Sequence, residues 1–127
     1  RGALDVELTI CGRTVHVLNT HLGLWPRERP QQADRLLELL ALSRRDLTIL
    51  MGDLNEWHGW GKSLRGLRRV FGSPAAPVTF PARWPVLALD RIWIFPAQAL
   101  LTVEAHDTPR SRLASDHLPV KADIYLP

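Results

Sequence analysis

Leu47-Thr48-Ile49-Leu50-Met51-Gly52-Asp53-Leu54-Asn55 is the stretch that decides the fold. Leu47 to Met51 is a short apolar run after a helical pattern, which reads as a strand buried on both faces. It ends on Gly-Asp-Leu-Asn, so polar groups appear where the strand gives way to a loop. Upstream, Gln31 to Arg45 reads as a helix. Ala33, Leu36, Leu37, Leu40 and Leu39 form its apolar stripe, and Arg44 and Arg45 lie in its last turn. Arg27 to Pro30 breaks structure before it.

Farther out, Leu4 to Ile10 alternates apolar and polar residues as a half-buried strand does. Cys11-Gly12-Arg13 turns the chain, and Thr14 to Thr20 returns with Val15 and Val17 on one face, completing a hairpin. Downstream, Gly59 to Phe71 reads as a shorter helix with Leu64, Leu67 and Phe71 inward. Gly72 to Pro85 carries Pro74, Pro77, Pro81 and Pro85 and is a loop. Leu89 to Phe95, Leu100 to Ala105 and Val120 to Leu126 are strand-like. The order β-β-α-β-α-β-β-β indicates an α/β domain with a mixed sheet.

Composition excludes several classes. With 127 residues, 46% hydrophobic and 23% charged, the chain is neither disordered nor collagen-like, and its length suits a single domain or part of a larger one. The single Cys11 excludes an internal disulfide framework and a cysteine-built zinc site. No apolar run is long enough to span a membrane, and no signal peptide is visible, which reads as a cytoplasmic location. The chain opens Arg1-Gly2-Ala3-Leu4, and Met51 is its only methionine, so a processed product or a fragment is expected.

Formal charge is +3; of 16 basic residues only Lys62 and Lys121 are lysines, leaving 14 arginines. Guanidinium forks suit phosphate, although a solvated basic surface explains the same balance. Arg65, Arg68 and Arg69 are either a phosphate track or the wet face of a short helix.

Four segments can carry chemistry: Asn19-Thr20-His21-Leu22, Gly52-Asp53-Leu54-Asn55, Leu89-Asp90-Arg91-Ile92 and Ser115-Asp116-His117-Leu118-Pro119. Each lies at a strand boundary, where ligands gather in open α/β sheets. Carboxylates with an amide and no cysteine suit Mg²⁺ or Mn²⁺. Histidine beside carboxylate can hold a proton or stabilise a phosphate oxyanion. Alone, each piece has an ordinary reading. Asp53 and Asn55 are common turn residues, His21 a common buried histidine, Asp116 a turn cap, and Asp90 a surface partner for Arg91.

Taken in order, Asn-Thr-His-Leu, Gly-Asp-Leu-Asn-Glu-Trp, Leu-Asp-Arg-Ile and Ser-Asp-His-Leu-Pro-Val resemble the endonuclease/exonuclease/phosphatase (deoxyribonuclease I-like) superfamily, over Leu4 to Leu126. The resemblance implies one half of a four-layered α/β sandwich, a mixed sheet with helices on one face. It also implies hydrolysis of phosphate esters with a divalent metal, usually Mg²⁺. By resemblance Asp53 orients or deprotonates the attacking water and Asn55 holds it and contacts the phosphate. His117 touches the scissile phosphate, Asp90 orients His117, and His21 is a second phosphate contact. Asp116 and Asp53 are the metal-side carboxylates.

Family domains run to about twice this length. Their first half carries an asparagine after strand one and the main metal-binding glutamate; neither Glu7 nor Glu28 has a matching context. The chain is therefore expected to be the C-terminal portion of such a domain, weakly active or inactive alone.

The leading expectation is a metal-dependent phosphodiesterase or nuclease-like enzyme. A lipid phosphodiesterase or phosphomonoesterase on the same site, and a non-catalytic module that binds nucleic acid or a partner, are the alternatives. Trp57, Trp60 and Trp84 stack on bases, touch lipid, or pack over the sheet edge; Trp93 is core. Truncation is expected to bare an apolar sheet face through which two chains pair as a homodimer.

Overall fold

The computed structural model describes residues 2–42, 46–57 and 61–126. Its elements are β1 (Ala3–Ile10), β2 (Arg13–His21), α1 (Arg29–Leu42), β3 (Leu47–Asp53), α2 (Arg65–Phe71), β4 (Asp90–Phe95), β5 (Leu100–Ala105), α3 (Ser111–Ala114) and β6 (Val120–Ile124). Single 3₁₀ turns, Lys62–Leu64 and Ala97–Ala99, precede α2 and β5.

Strands β1 to β4 form one sheet in chain order. The hairpin β1–β2 is antiparallel, β2–β3 parallel and β3–β4 antiparallel. A parallel pair needs a crossover, and α1 supplies it. The sheet is mixed, as its sequence indicates. Strands β5 and β6 make a separate antiparallel pair.

Register explains how β3 is buried on both faces. Leu18, Leu50 and Trp93 are cross-strand neighbours and pack beneath Ala33, Leu36 and Leu40 of α1 and Leu67 and Phe71 of α2. Val17, Ile49 and Ile94 point the other way, toward Ala99, Leu100 and Ile124 from the β5–β6 side. Helices α1 and α2 thus cover one face, and the small sheet covers part of the other.

Several boundaries and burials differ from the sequence reading. Helix α1 starts at Arg29, inside the stretch expected to break structure, because proline is tolerated in a first helical turn. Leu39 leaves the apolar stripe and lies at the surface. Arg44 and Arg45 lie outside the described residues, as do Gly59 and Trp60; the described part of the second helix begins with the turn at Lys62. Strand β1 is not half-buried: Leu4, Leu8 and Ile10 are exposed. Val6 and Leu8 pair with Val17 and Val15, so the bare side of β1 continues the sheet face that β5 and β6 cover only partly. Alternation fixes which way these side chains point, not what covers them.

Candidate active site at the strand ends

The β2–β3–β4 register brings three of the candidate residues into one row: His21 pairs with Asp53, and Asp53 with Asp90. The row lies where all three strands meet their loops. Gly52, just before it, has φ +134°, and a Cβ there would sit 1.8 Å from the Thr20 carbonyl oxygen. Only glycine lets β3 approach β2 that closely. Past the row, Leu22 N–H donates to the Asp53 carbonyl at 2.9 Å and Leu54 N–H to the Leu89 carbonyl at 3.0 Å, which keeps the loop bases together.

Asp53 is held by its own turn: Asn55 N–H donates to Asp53 Oδ1 at 2.8 Å. Asn55 takes the left-handed conformation (φ 49°), which asparagine tolerates. Its side chain is buried and donates from Nδ2 to the Leu22 carbonyl at 2.8 Å, tying the β3 loop to the β2 loop. Asp53 Oδ2 faces two imidazoles, His21 Nε2 at 3.4 Å and His117 Nε2 at 3.9 Å. Both separations exceed a good hydrogen bond.

His117 reaches the row from a distant loop. Leu118 N–H donates to the Thr79 carbonyl at 2.9 Å and Ala82 N–H to the Asp116 carbonyl at 2.7 Å. These bonds clamp the 115–118 segment against the Pro-rich loop. His117 Nδ1 then lies 2.7 Å from Asp90 Oδ2, and the Phe80 ring packs on the imidazole at 4.8 Å between centroids. Thr79, fully buried, donates from Oγ1 to the same Asp90 oxygen at 2.5 Å.

Partial burial opposes charge on His117. The hydrogen bond to Asp90 and the negative charges of Asp90, Asp53 and Asp116 outweigh it, so the imidazole pKa is raised. Asp90 and Asp53 thus favour a protonated ring aimed into the cluster.

Ligand atoms of Asp53, Asp90 and His117 lie within 4.8 Å of one another. Two carboxylates suit a hard divalent cation, and Mg²⁺ needs only one or two with water completing its shell. The donor set therefore fits the metal the resemblance implies. Asp116 is exposed, outside that trio, and acts on His117 through its charge.

Of the predicted site residues, His21, Asp53, Asp90 and His117 come together, Asn55 braces them, and Asp116 stands at the rim. Arg91 is not at the surface beside Asp90: it is buried, and desolvation lowers its pKa against the opposing pull of the Glu56 and Asp90 charges. Trp93 is buried, whereas Trp57 and Trp84 do not pack over the sheet edge but stand exposed; Trp60 lies outside the described residues. Sequence reasoning missed Thr79 and Phe80, which sit in a Pro-rich loop without periodicity to mark them.

A row of carboxylate and imidazole groups where the strands of a mixed sheet meet their loops lies where ligands gather in open α/β sheets. The chain belongs to the Endonuclease/Exonuclease/phosphatase family, whose model matches residues 2–117. It is 35% identical to the uncharacterized protein YbhP of Escherichia coli K12, over 99% of this chain and 53% of that protein. YbhP of Shigella flexneri matches to the same extent. The chain thus spans about half the length of the curated relatives it matches.

Solved structures share the fold at low identity. The endonuclease/exonuclease/phosphatase from Bacteroides vulgatus aligns at TM-score 0.75 and 19% identity, over 92% of this chain and 51% of that one. Beta toxin from Staphylococcus aureus, with bound magnesium ions, aligns at 0.74 and 18%, over 98% and 58%. A mannosyl-6-phosphatase from Bacteroides thetaiotaomicron aligns at 0.69 and 20%, over 91% and 53%.

Proposed function

We propose that this site serves a metal-dependent phosphodiester hydrolase. The observation that carries the reading is the Asp53–His117–Asp90 cluster, with His117 Nδ1 2.7 Å from Asp90 Oδ2 and Nε2 3.9 Å from Asp53 Oδ2. Asp90 orients the ring and favours its charge, so Nε2–H is available to a phosphate oxygen. Asp53 orients the attacking water and accepts its proton. His21, more exposed than Asp53, offers a second nitrogen to the phosphate. Asn55 holds the two loops and keeps Asp53 in place. Asp53 and Asp116 would hold a divalent cation, which would supply Lewis-acid stabilisation of the phosphate charge. Mg²⁺ or Mn²⁺ suits these oxygen ligands, and nucleic acid is among the substrates of this class.

The test is hydrolysis of bis(p-nitrophenyl) phosphate and supercoiled plasmid, with and without Mg²⁺ or Mn²⁺. Metal-dependent turnover lost in His117→Ala and Asp53→Asn is the expected result. A chain extended to its relatives' length that hydrolyses no phosphodiester rejects the reading.

The uncovered side of β1, with Leu4, Leu8 and Ile10 exposed, also supports pairing of two copies through this face. A light-scattering mass near the 14.4 kDa of a single chain at micromolar concentration rejects that pairing.

A further inference from the structure

His117 stands between α3 and β6 in a segment that is neither helix nor strand, so no ladder of its own holds the imidazole. The dipeptide Thr79–Phe80 holds it instead. Thr79 N–H donates to the Leu87 carbonyl at 2.9 Å, and Phe80 pairs with Leu87 as an isolated antiparallel bridge. The Thr79 carbonyl accepts Leu118 N–H at 2.9 Å, one residue past His117. Thr79 is 0% exposed, and β-branching leaves its side chain few rotamers. Its hydroxyl donates at 2.5 Å to Asp90 Oδ2, the same oxygen that lies 2.7 Å from His117 Nδ1.

These bonds close a ring. One arm runs from Thr79 Oγ1 through Asp90 Oδ2 to His117 Nδ1, the other from the Thr79 carbonyl through Leu118 N–H back to His117. The Phe80 ring packs on the imidazole, with centroids 4.8 Å apart and planes tilted by 45°. A carboxylate has two equivalent oxygens, and its last side-chain torsion is soft. Two donors converging on one oxygen remove that freedom. Because the Thr79 hydroxyl is fully buried, it acts on a ligand only through Asp90 and His117.

We infer that Thr79 is a positioning residue of the site: its hydroxyl fixes which Asp90 oxygen meets His117, and so where Nε2 stands relative to Asp53 Oδ2, 3.9 Å away. The catalytic consequence rests on the hydrolase reading, whereas the placement of the imidazole does not. The competing role for Thr79 is filling space in the interior, which a methyl group serves as well as a hydroxyl.

Thr79→Val keeps the side-chain shape and removes the donor; Thr79→Ser keeps the donor and removes the methyl group. Imidazole NMR of the intact, metal-free chain at one fixed pH reads the placement directly, with His117→Ala assigning the signal. The unaltered chain and Thr79→Ser should both show a downfield, slowly exchanging Hδ1 proton on His117. In Thr79→Val that resonance should move upfield or broaden away. In hydrolysis of bis(p-nitrophenyl) phosphate, Thr79→Val should lower kcat about 10- to 10²-fold with KM changed less than about twofold, and Thr79→Ser should stay within about threefold. Thr79→Ala takes the place of Thr79→Val, with the same expectation, should the valine variant lose its far-ultraviolet circular dichroism. An unchanged Hδ1 resonance in the variant without the donor overturns the inference. So does a loss in Thr79→Ser equal to that in Thr79→Val, which makes Thr79 a packing residue. Absence of hydrolysis in every form rejects only the hydrolase reading, because the resonance still decides on Thr79. Hydrolysis with an unchanged kcat in Thr79→Val rejects only the positioning role.

Discussion

His117 Nδ1 lies 2.7 Å from Asp90 Oδ2, though 27 positions separate the two in the chain. The same oxygen receives Thr79 Oγ1 at 2.5 Å. Asp90 is thus fixed from one side by a buried hydroxyl and holds the imidazole on the other. A neutral ring would donate one proton to Asp90 and have none left for an anion; the charged ring has both.

Asp90→Asn should keep the fold and lower kcat by about 10²- to 10⁴-fold, the range of a lost acid–base contribution. KM should change far less, because Asp90 acts through His117. Steady-state kinetics in Mg²⁺ checks the split. A larger rise in KM than fall in kcat would place Asp90 in substrate binding instead.

The raised His117 pKa sets a direction for stability in metal-free buffer. The folded state holds this proton more tightly than an unfolded histidine, whose ordinary value is 6.5. The resulting stabilisation is fully present below that value and is lost as pH rises through the raised folded value. Urea midpoints in EDTA should fall over that window. The slope should flatten in Asp90→Asn and change less in Asp116→Asn, because Asp116 acts only through space. Histidine titration by NMR checks the assignment.

Gly52→Ala and Gly12→Ala should differ sharply. Both glycines have positive φ, but a Cβ at Gly12 meets nothing within 4 Å, whereas at Gly52 it would sit 1.8 Å from the Thr20 carbonyl oxygen. Gly12→Ala should cost about 1–2 kcal/mol from left-handed backbone alone. Gly52→Ala must also push β2 and β3 apart and should cost more than about 3 kcal/mol or prevent folding. Chemical denaturation of the two variants side by side decides it.

Breaking the buried Arg29–Glu56 pair should cost about 3–5 kcal/mol, because each single change leaves the other charge under-compensated in the interior. Glu56→Gln and Arg29→Met should each destabilise. Together they should cost less than the sum of the two, which a double-mutant cycle in urea measures. Strict additivity would show that the two do not interact.

Much of this was legible in the chain. Period-two alternation located β1 and β2, and helical spacing located α1 and α2. The run Leu47 to Met51 announced a strand buried on both faces, which its register with Leu18, Val17, Trp93 and Ile94 realises. The four polar segments marked His21, Asp53, Asp90 and His117, because polar residues at the ends of apolar strands stand out against the pattern.

Other features are invisible in one dimension. Thr79 and Phe80 look like loop residues, and only the backbone bonds of Leu118 to Thr79 and of Ala82 to Asp116 carry them to His117. Leu4 and Leu8 alternate as buried residues do, yet both are exposed among the described residues. Trp25 and Trp57 sit in separate loops, and the parallel pairing of β2 with β3 brings those loops together. The sequence by itself determined the local elements and the residue types at the site, because periodicity and turn chemistry act over a few neighbouring residues. Only the tertiary structure decided who meets whom, because strand register and loop clamping depend on contacts between residues far apart in the chain.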